Sequence, residues 1–233
     1  MQSAESPPTP IGTKAERTRR RLLDAALTLL EHHGYHDLKV TDVAKTAGVA
    51  AGVFYIYFKD KNALVLDLLD ELSEANVEAV FGGPRTDDPF EAVLAANRAY
   101  VHRFVGGGGL NRALAQIVDA LPEARQRWQA MNARVAQRIA AGIARRAPDS
   151  TAHESARVFA ALALQAMLDT VLLQTFAYQF PDLADLRGDP ERLAQAISIL
   201  WYRALFGTSP RAEQVPRATD FLTFNLEPSG LPQ

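Results

Sequence analysis

The chain has 233 residues, 48% hydrophobic and 22% charged, enough for one or two domains with a sizeable buried core and ordinary for a soluble globular protein. It contains no cysteine, which excludes disulfides, thiolate metal sites and cysteine nucleophiles and fits a reducing, cytoplasmic setting. The net charge of −2 conceals a division: residues 14–61 hold nine Lys/Arg against six Asp/Glu, and residues 62–233 hold sixteen against twenty. A basic head on an acidic body suits a head that meets a polyanion.

Residues 1–13 are rich in Pro and Ser and predict a disordered start, without the apolar run of a signal peptide. From Lys14, Leu22/Leu23, Ala26/Leu27 and Leu30 recur at the spacing of one helix face, and Gly34 supplies a stop. A short helix is expected over 41–47, a second after Gly48, and a long one after Asp60 as N-cap. Asp88-Pro89, Pro122 and Asp189-Pro190 mark further helix starts. Thr151-Ala-His-Glu154 reads as a capping box before a helix that is apolar almost all round over 158–173, interrupted by Gln165, Asp169 and Thr170. No uninterrupted apolar run reaches membrane-spanning length, so no membrane partner is expected. The four glycines at 106–109 read as a flexible hinge, and the tail after Gly207 as irregular. No segment alternates as a strand would. The expectation is an all-α fold of about nine helices, divided into 1–13, a reading head at 14–62, a helical body at 63–207 and a tail at 208–233.

Three helices fit within residues 14–58, and a short helix, a tight glycine turn and another short helix form a helix-turn-helix, whose last helix enters the DNA major groove. Six consecutive β-branched or aromatic residues, 53–58, would otherwise suggest a strand. At helical spacing Phe54 and Phe58 share an inward face, leaving Gly52 and Ile56, flanked by Val53 and Tyr55, on the opposite one. The run TDVAKTAGV (41–49), then GVFYIYF (52–58), Lys61 and Leu64 closely resembles the DNA-binding domain of the TetR family of transcriptional regulators, over about residues 16–69. The resemblance implies a homodimeric repressor that binds double-stranded operator DNA and is released by a small-molecule effector, with no enzymatic activity and no cofactor or metal. It places Lys39, Thr41, Lys45, Ala50, Ala51, Gly52, Val53, Tyr55, Ile56, Tyr57 and Lys61 at the DNA, with Tyr55 or Tyr57 and Lys61 holding phosphates. Two departures stand out. Lys39 occupies a position where the family usually has a capping Ser or Thr, and the recognition helix opens with Ala50, Ala51, Gly52 and Val53, nearly without hydrogen-bonding groups for base edges. Readout through thymine methyls, backbone shape and the Thr18–Arg21 end of the first helix is therefore expected.

In the body, Leu193, Ile197, Leu200, Trp201 and Leu205 lie on a 3-4 stripe expected to form a dimer interface with the apolar helix of 158–173. Tyr100, Phe104, Trp128, Met131, Gln165, Met167 and Asp169 are the candidates for a largely hydrophobic effector pocket; Gln165 and Asp169 share a face, and a ligand could satisfy them. His32, His33 and His36 lack a supporting carboxylate pattern for a metal, and no HExxH, GxSxG or Walker spacing occurs. The competing expectation is an all-helical small-molecule-binding or adaptor protein without operator binding, favoured only by the apolar recognition helix.

Overall fold

Helix boundaries follow the caps that the sequence supplies. In the computed structural model, which describes residues 13–83, 86–105, 108–146 and 151–223, Thr13 Oγ1 accepts from the Glu16 N–H while the Glu16 carboxylate accepts from the Thr13 N–H at 2.6 Å. This reciprocal box opens α1 (Lys14–His33), which ends at Gly34 with φ +76°. The short α2 (Val40–Thr46) and α3 (Ala51–Tyr57) are joined by a turn at Gly48, φ +65°, a conformation a Cβ would strain. Asp60 accepts from the Ala63 N–H at 2.8 Å and starts α4 (Lys61–Phe81); Asp88 and Asp189 cap α5 (Pro89–Phe104) and α10 (Pro190–Phe206) in the same way. Between them run α6 (Gly108–Ala120), α7 (Pro122–Arg146), α8 (Glu154–Leu172), a π turn (Leu173–Ala177) and the brief α9 (Ala184–Gly188). Among the described residues there are ten α-helices and no strand, so the all-α expectation holds; α9, five residues long, is too short to show a period in sequence.

Two apolar cores organise the bundle. The first joins α1–α3 to the start of α4, and takes in Ala113 and Ile117 of α6 and Ala124 of α7. Phe54 and Phe58 are buried there with ring centroids 5.7 Å apart. Seven-residue helices do not persist alone, so burial of these two rings, about 1.5–3 kcal/mol each, overrides the strand propensity of 53–58. The second core joins α5, α8 and α10, with Asn97 donating to Ser198 Oγ at 3.1 Å in its interior. α4 runs from one core into the body, where α7 lies along it through Arg134–Glu74 (2.7 Å), an Arg127–Asp70 ion pair and Arg138 stacked 4.1 Å over the Phe81 ring.

Several expectations change. α2 begins at Val40 rather than Thr41, with Lys39 as an N-cap that makes no side-chain cap hydrogen bond. α8 is capped by His153, whose Nδ1 accepts from the Ser155 N–H at 3.3 Å, in place of the expected box from Thr151. Leu193, Ile197 and Trp201 are 1%, 3% and 6% exposed because α10 packs along α5 within the same chain, and Leu205 is half-buried in the second core; of the expected dimer stripe only Leu200, 40% exposed, faces outward. The helix from Glu154 through Ala177 is long and apolar enough by length and composition to cross a membrane, but it packs along α7 with Leu164, Leu168 and Leu172 buried. The tail is irregular yet packed as far as Thr223. Val215 and Ala218 are fully buried, and Gln214 Nε2 donates to Asp88 Oδ2 at 3.0 Å.

The four-glycine hinge is also revised. Gly106 and Gly107 lie outside the described residues, as do residues 1–12 and the tail beyond 223, while Thr13, expected to close the disordered start, is ordered as the cap of α1. Gly108 and Gly109 form the first turn of α6 and are pressed against main chain on two sides. A Cβ at Gly109 would stand 1.9 Å from the Glu31 carbonyl oxygen, and one at Gly108 would stand 2.4 Å from that of Phe176. These glycines permit a close helix crossing.

Candidate DNA-reading head and effector cavity

α3 presents two unlike faces. Inward, Phe54 is fully buried; outward, Tyr55 is 60% and Ile56 75% exposed, and a Cβ on Gly52 would meet nothing within 4 Å. Ala50 and Ala51 are exposed, while Val53 and Tyr57 are half-buried, Tyr57 against the first core. On neighbouring α2, Lys39, Thr41 and Lys45 are all exposed. Ten of the eleven residues expected at the DNA thus lie on or directly before two adjoining helices and are open or partly open to solvent, and nothing inside the protein requires glycine at 52.

Lys61 and the arginines of α1 depart from expectation. Lys61 is turned inward: its Nζ donates to the carbonyls of Tyr35 and Leu38, both at 3.3 Å, and sits 4.6 Å over the Tyr35 ring. It ties the α1–α2 connection to α4, where an exposed phosphate ligand was expected. Arg19 pairs with Asp67 at 2.6 Å, Arg20 with Glu71 at 2.8 Å, and Arg21 donates to the carbonyls of Ala47 and Gly48 at the end of α2. Arg19 and Arg20 thus fasten α1 to α4 and Arg21 fastens it to α2, so the net charge of +3 overstates the head's open cations.

The body holds a cavity of about 1340 Å³ between α4, α5, α7, α8 and α10. Tyr100, Met131, Gln165 and Asp169 line it as expected. Phe104 packs edge-on against Tyr100, Met167 joins the second core and Trp128 is 38% exposed, so these three fall outside it. Tyr100 donates its hydroxyl proton to Asp169 Oδ1 at 2.9 Å. Burial raises the Asp169 carboxyl to about 6, with the Tyr100 hydrogen bond opposing, and pushes the Tyr100 phenol well above its ordinary value. Gln165 Oε1 is buried without a hydrogen-bond partner. Sequence reasoning missed Trp201 and Asn97, which also line this cavity. The periodicity that put Trp201 on an apolar stripe gave no way to tell an outer face from an inner one. Asn97 carried a usable signal, a polar residue among apolar ones on α5, the same signal that pointed to Gln165 and Asp169. Among the described residues no three His, Cys, Asp or Glu side chains converge as metal ligands would.

Comparison with known proteins agrees with this geometry. Residues 22–68 match the model of bacterial regulatory proteins, tetR family. The chain is 25% identical over 220 residues to the HTH-type transcriptional regulator EthR of Mycolicibacterium smegmatis, covering 90% of this chain and 98% of EthR. It is 41% identical over 64 residues to the HTH-type transcriptional regulator AcrR of Shigella flexneri, 28% of this chain and 29% of AcrR. Among solved structures, the fatty acid degradation regulator FadR from Bacillus halodurans superimposes with a TM-score of 0.63 at 19% identity, over 87% of this chain and 100% of that one, a likeness of fold. Residues 22–68 thus carry the DNA-binding helices of the TetR family of bacterial transcriptional regulators, set on a helical body whose fold solved regulators share.

Proposed function

We propose that the chain is a cytoplasmic, homodimeric repressor that holds operator DNA through α2 and α3 and lets go when a mostly hydrophobic small molecule fills the body cavity. The observation that carries this reading is the position of α6. Its Ala113 and Ile117 are built into the core of the head, while Gly108 lies against the Phe176 carbonyl in the π turn that continues α8, the helix bearing Gln165 and Asp169. One helix therefore touches both the reading head and the continuation of a cavity-lining helix, which supports coupling between head and cavity. The DNA-facing set is the exposed group Lys39, Thr41, Lys45, Ala50, Ala51, Gly52, Tyr55 and Ile56, with Val53 and Tyr57 at its edge.

For the dimer, the supporting feature is an unpartnered row on α8: Phe159 is 73% and Leu162 41% exposed, and Ala163, Ala166 and Thr170 follow at helical spacing. With Leu200 on α10, this face replaces the stripe of Leu193, Ile197 and Trp201. A mobility-shift assay against DNA flanking the gene tests the reading. Wild-type protein retards a fragment at low salt, and Tyr55→Ala and Lys45→Ala weaken retardation without loss of helical signal. Absence of retardation of any flanking fragment would favour the adaptor alternative.

A further inference from the structure

The polar atoms of the cavity have a pattern of their own. On α8, Gln165 and Asp169 stand one turn apart and line the same apolar enclosure. Both offer acceptors to it. Gln165 Oε1 is buried and unmatched, and among the described residues the hydrogen bond recorded to the Asp169 carboxylate is the single one from Tyr100. A carboxylate accepts at two oxygens and about four lone-pair positions, so most of its capacity is open. Three of the four arginines that line the cavity are engaged elsewhere, and the fourth, Arg145, belongs to the last turn of α7, away from Gln165 and Asp169 in sequence. Arg98 makes a two-point contact with Glu191 at 2.7 Å, Arg138 stacks on Phe81 and Arg146 donates to the Thr86 carbonyl.

Resting on the reading of this cavity as the effector site, we propose that its ligand is an apolar amine, whose protonated nitrogen donates to Asp169 and Gln165 Oε1 while its hydrocarbon fills the surrounding enclosure. An ammonium supplies what both groups lack: donors for two acceptors and a positive charge for a buried negative one. A fatty acid of the same size, seated at the same two acceptors, brings a second carboxylate beside Asp169, and the like charge is repelled. A simple alcohol can donate one hydrogen bond and neutralises nothing, so it ranks between them.

Three probes with one hydrocarbon tail and different heads separate these cases: decylamine, decanol and decanoate, titrated below their aggregation limits into the full-length protein at neutral pH and followed by calorimetry. The expected order of affinity is amine, alcohol, carboxylate, with Asp169→Asn lowering amine affinity about tenfold or more and leaving decanol nearly unchanged. If Asp169→Asn does not fold, Gln165→Met serves, removing the unmatched acceptor while keeping the volume; it too lowers amine affinity selectively. Decanoate binding as tightly as decylamine, amine affinity indifferent to both variants, or no binding of decylamine overturns the proposal. A parallel mobility-shift titration keeps the two readings apart. Amine binding that leaves DNA bound upholds the ligand class and sinks the effector role, whereas release by decanoate alone does the reverse.

Discussion

Replacing Gly109 with alanine tests whether α6 really crosses α1 as closely as the geometry places it. The new Cβ would stand 1.9 Å from the Glu31 carbonyl oxygen and 2.9 Å from its carbon. Ordinary carbon–oxygen contact is about 3.3–3.6 Å, so the helices must part by about 1.5 Å. Neither obstacle is the movable end of a side chain, so the cost lies toward the upper end of the ~1–3 kcal/mol typical of overpacking. Alanine returns up to about 1 kcal/mol through helix propensity, less in a first turn. The net is a loss of about 2 kcal/mol, and for a chain of this length that lowers Tm by about 4–8 °C. Thermal unfolding followed by far-UV circular dichroism measures it directly. Because α6 also contributes Ala113 and Ile117 to the head's core, the variant should also bind operator DNA more weakly in the absence of any ligand. A Tm equal to or above wild type would refute the close crossing and the coupling built on it.

Gly52→Ala is the complementary case: with nothing within 4 Å of the new methyl, stability stays level or rises by about 0.4–1 kcal/mol, while operator affinity falls in the mobility-shift assay. Equal or tighter DNA binding would show that the duplex does not need glycine there. Ile56→Ala, removing an apolar group 75% exposed, should alter the base preference recovered in a binding-site selection; an unchanged preference would sink apolar readout. Asp169 gives a pH signature. Its folded pKa, raised to about 6, exceeds the unfolded value of about 3.9, so the buried carboxylate costs nothing below pH ~4, progressively more up to pH ~6, and about 3 kcal/mol above that. The stability advantage of Asp169→Asn over wild type, read from urea midpoints, should therefore shrink as pH falls from 7 to 4.5; an advantage constant over that range would contradict it. Phe159→Asp should convert a dimer to a monomer in sedimentation at micromolar concentration without changing the helical signal, and a persistent dimer would move the interface elsewhere.

The parts legible in the sequence were those governed by local chemistry. Gly34, Gly48, Asp60, Asp88 and Asp189 each announced a boundary, because caps and left-handed turns act through a few neighbouring residues. The inward pair Phe54/Phe58 followed from spacing alone, and polar interruptions in an apolar run pointed to Gln165 and Asp169. What stayed hidden depended on partners distant in the chain. Leu193, Ile197 and Trp201 look the same whether they face α5 or a second subunit. Lys61 reads as a free cation until the carbonyls of Tyr35 and Leu38 come within 3.3 Å. Gly108 and Gly109 read as slack until Glu31 and Phe176 are brought against them by tertiary packing.

The continuity of α4 has a mechanical consequence. Its 21 residues make a rod about 30 Å long, whose first turns carry Leu64–Leu69 in the head and whose far end stacks Phe81 on Arg138 at the cavity. A pivot of about 6° at the far end carries the near end through about 3 Å, close to the ~3.4 Å step between successive nucleotides on one strand. On the proposed mechanism, a ligand that shifts the rod by about 0.8 Å at Asn76, which lines the cavity five residues from its far end, puts the reading helix out of register with its groove.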